Sequence, residues 1–285
     1  MGQIPPISLQ QSFWNQWNAS TREKAIGEVS IRQANVVCEW LNSFGRTDLD
    51  ILEVGCGAAW FSPQLAQFGR VTATDLSDEV LGRAKRRVPE VAFVPGDFMS
   101  LNFGTNSFDV AVTLEVLSHV ADPRAFIRKI ASHLRPAGHL MLATQNRFVL
   151  QHFNRVPPPA PGQLRCWFDR RELRELLERE FEVLSLFSVT CRANRGVMRL
   201  IHSRKINLPV RTLLGDRVER LKESIGLGWT LMALARKRIS VHCGQHSGRD
   251  VLAGSSRSVR SEMTQARTPR WPCAAAGRKS RPRQS

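Results

Sequence analysis

The 285-residue chain contains no tyrosine, no Cys-x-x-Cys pair and no internal repeat. It also has no uninterrupted apolar run of the roughly eighteen residues that a membrane-spanning helix needs, so no such helix is expected. Six cysteines (Cys38, Cys56, Cys166, Cys191, Cys243 and Cys273) are scattered along it. That pattern fits reduced thiols in a cytoplasmic protein better than a disulfide framework or a zinc site. The start, Met1-Gly2-Gln3-Ile4-Pro5-Pro6, lacks a basic segment followed by an apolar stretch, so a secretory signal is not expected. The absence of tyrosine carries no functional information.

What is present is an excess of positive charge, +16 overall. Nearly half of it sits in residues 241–285, which hold nine Lys/Arg against two Asp/Glu. That tail shows neither helical nor strand periodicity and is rich in Ser, Arg, Gly and Pro, so residues 240–285 are predicted to be disordered. The basic balance is therefore a weak argument for a nucleic-acid partner. The remaining length suits a single α/β domain over residues 1–239, since about 200–250 residues can bury one full core.

Ile51-Leu52-Glu53-Val54-Gly55-Cys56-Gly57-Ala58-Ala59-Trp60 reads as a buried strand running into a glycine-tight turn. Val71-Thr72-Ala73-Thr74-Asp75 reads as a second strand ending in a carboxylate. This geometry surrounds a ribose with backbone N–H groups and an acid, and it suits a dinucleotide-binding turn equally well. Further strands are predicted at Val91–Val94, Asp109–Leu114, His139–Ala143, Phe181–Val189 and Gly228–Ala235. Helices are predicted over 11–44, between the first two strands, from Ser77 as cap to Arg87, after Asp122-Pro123, and from Trp167 to about Glu180 with Asp169 as cap. An insertion is expected at about 192–226. Strands alternating with helices at short spacing imply a doubly wound, mostly parallel sheet, with ligands at the carboxyl ends of its strands.

Four landmarks in order carry a resemblance: Leu52-Glu-Val-Gly-Cys-Gly57; Ala73-Thr-Asp-Leu-Ser77; Gly96-Asp-Phe98 with Ser107-Phe-Asp-Val-Ala-Val112; and Leu114-Glu-Val-Leu-Ser-His-Val120 with Leu134-Arg-Pro-Ala-Gly138. Over residues 12–238 the chain resembles a class I S-adenosylmethionine-dependent methyltransferase of the small-molecule group. The resemblance implies a seven-stranded Rossmann-like sheet with the last strand antiparallel, helices on both faces, and a helical cap over about residues 11–45. It also implies S-adenosylmethionine as cofactor. Gly55, Cys56 and Gly57 would form the turn against it, and Glu53 would engage its methionine amino end. Asp75 would accept the ribose hydroxyls, with Leu76 beside it. Asp97 and Phe98 would meet the adenine, while Leu114 and Glu115 would line the methionine arm. Read as residues alone, Asp97 is also a turn cap and Glu115 a solvated carboxylate at a helix start. One position departs from the family: Ala59 stands where the third glycine is usual.

Methylating a hydroxyl requires removal of its proton, and His119, just beyond the fourth strand, is the candidate general base; the alternative is a ring that braces the loop. Some quinone O-methyltransferases of this kind place a carboxylate before that histidine and use a divalent metal. Here Ser118 stands there, so no metal site is expected. Gln145, Asn146 and Arg147 are candidates to bind a polar acceptor, with Trp14, Trp17 and the 192–226 segment as its roof. The expected partner is a small-molecule methyl acceptor, methylated on oxygen rather than on nitrogen. A nucleic-acid acceptor is disfavoured, because no base-gripping signature follows the fourth strand. Two further readings stay open: a non-catalytic binding or scaffold protein, and peripheral membrane contact through Leu227–Ala235 and Arg236-Lys237-Arg238 with a lipidic quinone precursor as acceptor. Of the latter segment, a buried final strand is the preferred reading.

Overall fold

A computed structural model describes residues 4–190 and 226–239. The expected insertion, save Gly226, and the expected tail lie outside the described residues. Seven strands form one sheet: β1 (Leu49–Val54), β2 (Gly69–Asp75), β3 (Ala92–Pro95), β4 (Phe108–Leu114), β5 (Leu134–Gln145), β6 (Phe181–Val189) and β7 (Thr230–Lys237). Their order is β3-β2-β1-β4-β5-β7-β6. The pairs from β3 across to β5 are parallel, and β7 runs antiparallel between β5 and β6. The doubly wound, seven-stranded architecture expected from the sequence is thus the observed one.

Side-chain alternation explains why helices cover both faces. Ile51 and Leu52 are adjacent and fully buried, yet they belong to different cores. Leu52, Ala111 and Leu140 pack with Phe126 and Ile130 of α5 (Pro123–His133) and with Leu173 and Leu177 of α7 (Arg170–Leu177). Ile51, Val71 and Val112 pack on the other face with Val37 and Leu41 of α2 (Glu28–Ser43) and Leu81 of α4 (Asp78–Arg87). A strand buried on both faces needs apolar residues at every position rather than every second one.

Several expected boundaries change. The helix read over 11–44 is two, α1 (Ile7–Trp17), prolonged by a π-helical turn at Asn18–Arg22, and α2. The chain leaves the helix because Glu23 is drawn to Arg83 at 2.8 Å and Arg87 at 3.3 Å on α4, and Gly27 is extended ahead of α2. Between β1 and β2 stands only a short α3 (Ser62–Leu65) with a 3-10 turn, Ala66–Phe68. β5 begins at Leu134, not His139, and α6 (Arg147–Phe153) had no counterpart in the sequence reading. Ser77 does not cap α4, because its hydroxyl is engaged by Asp75. Asp122 and Asp169 do cap α5 and α7, the latter in a reciprocal capping box with Glu172.

β1 lies where the winding reverses: β2 and β3 extend one way from it, β4 and β5 the other. Its carboxyl end therefore opens into a crevice between diverging connections, which is where such sheets bind ligands. At the opposite, amino end of the sheet Arg135 ties the starts of β1 and β4 together through Asp50 (2.7 Å) and Asp109 (2.6 Å).

Candidate active site

A cavity of about 880 Å³ opens over the carboxyl ends of β1, β2 and β4, near the upper end of the usual range for ligand sites, about 300–1,000 Å³. At one end stands the glycine turn. Gly55 and Cys56 both donate their N–H to the Thr74 carbonyl, at 2.8 and 3.1 Å, so the turn is locked to the end of β2. Gly55 has φ +79°, and a Cβ there would lie 2.0 Å from Val116 Cγ2. A side chain at Gly55 is therefore excluded by the protein itself as well as by its φ. A Cβ on Gly57 would lie 3.0 Å from Asn18 Oδ1. Ala59, the departure from the glycine pattern, adopts φ +56°, a left-handed conformation that strains any side-chain-bearing residue.

Asp75 is held from both sides. Its Oδ2 accepts from Gly57 N at 2.7 Å, and its Oδ1 from Ser77 N at 2.8 Å and from the Ser77 hydroxyl. Ser77 in turn accepts from Asn18 Nδ2 at 2.7 Å. The carboxylate is thus oriented at the cavity wall with acceptor capacity left on Oδ2.

Leu76, Asp97, Phe98, Leu114 and Glu115 line the same cavity, as do Gly55, Cys56, Gly57 and His119. Glu53 does not. It is 4% exposed, beneath the turn, and accepts from Ser62 Oγ at 2.6 Å. Burial, with the Asp75 charge adding to it, pushes its pKa up to about 7. Asp97 also caps a turn, accepting from Met99 N at 3.0 Å and Ser100 Oγ at 3.2 Å. The Phe98 ring packs edge-on to Phe126, centroids 5.4 Å apart, so much of it belongs to the core. Burial likewise pushes the Cys56 thiol well above its ordinary range, keeping it protonated.

Glu115 is neither solvated nor at a helix start. It has φ +64°, and its Oε1 accepts from Gln33 Nε2 at 2.5 Å and Thr230 Oγ1 at 3.1 Å. Its pKa is raised by burial and restrained by those bonds and by Arg22. Arg22 itself went unnoticed in the sequence. The π-helical turn carries its guanidinium into the cavity, 5.4 Å from the Trp17 ring and 5.8 Å from that of Trp60. Arg22 and Glu115 together present one cation and one acid, complementary to the carboxylate and ammonium of an amino acid. No sequence motif marks either pairing, since Gln33, Arg22 and Thr230 approach Glu115 from three separate elements.

His119 stands beyond β4, half-buried, its ring 4.7 Å from that of Trp14. Its Nδ1 lies 2.7 Å from the Leu164 carbonyl. A carbonyl can only accept, so Nδ1 carries the hydrogen and Nε2 is the basic nitrogen. Burial lowers the pKa to about 4, so the ring is neutral at neutral pH. Ser118, in place of a carboxylate, donates to Gln145 Oε1. Among the described residues no three His, Cys, Asp or Glu side chains converge as a metal site.

Of the proposed acceptor contacts, only Gln145 lines the cavity. The Asn146 amide donates to the Gly226 and Gly228 carbonyls at 3.0 and 2.9 Å, bracing β7. Arg147 is paired with Asp169 at 2.5 Å and Glu172 at 2.7 Å. Both are structural because residues 146–147 turn into α6 rather than toward the site. Trp14 and Trp17 do cover the cavity, joined by Gln163, Arg165, Trp167 and Trp229. Segment 230–237 is the buried strand β7, with Leu231, Met232, Ala233 and Ala235 all inaccessible, so it offers no face to a lipid surface.

The fold and the glycine-and-acid cradle form a crevice of the kind that holds a nucleoside, and this part of the chain matches a known domain family. The model of that family, described as a methyltransferase domain, matches residues 52–142. Among curated proteins, the chain is 32% identical over 147 residues to a ubiquinone biosynthesis O-methyltransferase of Caulobacter vibrioides, covering 46% of this chain and 58% of that one. It is 33% identical over 138 residues to a protein of the same name from Xanthomonas oryzae pv. oryzae, covering 46% and 56%. The chain thus spans less than two thirds of the length of these relatives. Among solved structures, the N-methyltransferase NodS of Bradyrhizobium japonicum WM9 in complex with S-adenosyl-l-homocysteine superposes with a TM-score of 0.56 at 17% identity, covering 80% of this chain and 98% of that one. A Haloferax volcanii methyltransferase solved with its Trm112 activator gives 0.57 at 17% identity, over 79% and 98%. At these identities the superpositions speak for the fold alone. Residues 52–142 thus match a methyltransferase domain, and the fold is one that solved methyltransferases share.

Proposed function

We propose that this protein methylates a hydroxyl oxygen of a small organic molecule, with His119 as general base. The observation that carries the reading is a neutral imidazole, its Nδ1–H anchored on the Leu164 carbonyl, lining the cavity that also holds the Gly55–Asp75 cradle. The ubiquinone biosynthesis O-methyltransferases to which the chain is similar support oxygen as the acceptor atom.

When bound, S-adenosylmethionine supplies a methyl group on a sulfonium, an electrophile that needs no further activation. The residues of the chain bind, align and dry the site. Asp75 accepts the ribose hydroxyls, the Gly55–Gly57 turn packs against the nucleoside, and Arg22 and Glu115 hold the amino-acid end. Trp14, Trp17 and Trp167 exclude water from the acceptor side, so that proximity supplies much of the acceleration. His119 Nε2 receives the hydroxyl proton. Because its pKa is about 4, the ring is free to accept a proton at every physiological pH, although it is a weak base.

Calorimetric titration of the full chain with S-adenosylhomocysteine tests the reading. Micromolar binding that Asp75→Ala removes supports it. A folded wild-type protein that does not bind overturns it in favour of a non-catalytic scaffold.

A further inference from the structure

Among the described residues two arginines line the cavity, and they differ in their company. Arg22 faces Glu115, which offsets its charge. Arg165, on the connector between α6 and α7, pairs with no carboxylate among the described residues. Its Nη1 donates to the Pro157 carbonyl at 2.5 Å, its Nη2 to Gln163 Oε1 at 3.2 Å, and its guanidinium lies 5.1 Å from the Trp167 ring centroid. Burial pulls its pKa down with no neighbouring acid to offset the cost. A part-buried cation that lines a cavity with no acid beside it leaves its charge open to an anionic partner there.

The position of Arg165 says what that is. Leu164, whose carbonyl fixes the His119 ring, is its immediate chain neighbour, and the next residue, Cys166, donates its N–H to the Ser118 carbonyl at 2.7 Å. Residues 164–166 and 118–119 are therefore stitched together, and the general base and the unpaired cation belong to one wall. The connector packs closely on α1: a Cβ at Gly162 would lie 2.5 Å from the Leu9 carbonyl. We propose that Arg165 binds a carboxylate on the methyl acceptor and so sets the acceptor hydroxyl at His119, making the substrate a hydroxylated aromatic acid enclosed by Trp14 and Trp167. A planar guanidinium matches a carboxylate fork, and a single cation matches a single negative charge. The proposal rests on the methyltransferase reading for the identity of the ligand, not for the anion site itself.

The test uses the full chain, with and without saturating S-adenosylhomocysteine, titrated calorimetrically with 3,4-dihydroxybenzoate and with its uncharged counterpart 3,4-dihydroxybenzamide. The acid binds wild type at least about tenfold more tightly than the amide, as one charge-assisted contact implies. Arg165→Gln brings the two within about twofold of each other while its affinity for S-adenosylhomocysteine stays that of wild type. Arg165→Lys retains part of the preference. Equal affinities, no binding of the acid, or a preference that survives in Arg165→Gln each overturn the proposal; the first two need no variant and so do not depend on its folding. If S-adenosylhomocysteine fails to bind while the preference for the acid persists, the methyltransferase reading falls and the anion site stands.

Discussion

Asp75 Oδ2 accepts the N–H of Gly57 at 2.7 Å, so the acid at the end of β2 and the glycine turn at the end of β1 are one unit. The residue expected to grip the ribose also holds the turn against which the nucleoside would pack. Asp75→Ala removes both. The expected result is a loss of S-adenosylhomocysteine affinity of about 100-fold or more, from two charge-assisted contacts worth about 1.5–3 kcal/mol each. Asp75→Asn restores part of it, as calorimetry would register.

Gly55 faces Val116 with no room for a methyl group. Gly55→Ala is expected to destabilise the fold by a few kcal/mol, on the order of an overpacked core position with added left-handed strain. The double variant Gly55→Ala/Val116→Ala recovers part of that loss in thermal denaturation, since the Cβ clash is with the Val116 side chain and the φ strain remains.

His119→Asn is expected to lower turnover by about 10²–10⁴-fold with S-adenosylhomocysteine affinity retained. In wild type the imidazole stays neutral down to its pKa of about 4. Rates limited by this base therefore hold as pH falls through 6.5, where an ordinary histidine would protonate, and drop only near 4. A steady-state pH profile with its acid limb near 6.5 would contradict the assignment.

Glu53 has a folded pKa of about 7 against an ordinary 4.5. Below 4.5 both folded and unfolded forms are protonated and the group is neutral toward stability. Between 4.5 and 7 the unfolded chain ionises first, so stability is lost as pH rises, by on the order of 3 kcal/mol in total. Glu53→Gln keeps an oxygen for the Ser62 hydroxyl and loses the charge. Its apo form should melt several degrees above wild type at pH 8, the gap closing at pH 4.5.

Arg22 lies between Trp17 and Trp60, opposite Glu115. Arg22→Gln is expected to weaken S-adenosylhomocysteine binding about 10-fold or more and to leave 5′-methylthioadenosine, which lacks the amino-acid end, unaffected. Equal losses for both ligands would mean that Arg22 supports the pocket without contacting the carboxylate.

Sheet and cradle were legible because their causes are local. A strand buried on both faces must be largely apolar, as Ile51-Leu52 and Val110–Val112 are, and a turn that admits no Cβ must be glycine, as at Gly55. Asn146 and Arg147 misled because position after a strand says nothing of which way a side chain turns: one braces β7, the other pairs with Asp169 and Glu172. Glu53 sits in the right motif yet points under the turn toward Ser62.

The chain by itself determined the order of the strands, the doubly wound sheet and the glycine-and-acid end of the cavity, each written in contiguous residues. Only the tertiary structure decided the chemistry of the other end. The tautomer of His119 depends on a carbonyl 45 residues away, the charge state of Glu115 on Gln33, Arg22 and Thr230, and the solitude of Arg165 on the absence of any acid folded against it among the described residues. These are properties of distance and burial, and sequence neighbours do not encode them.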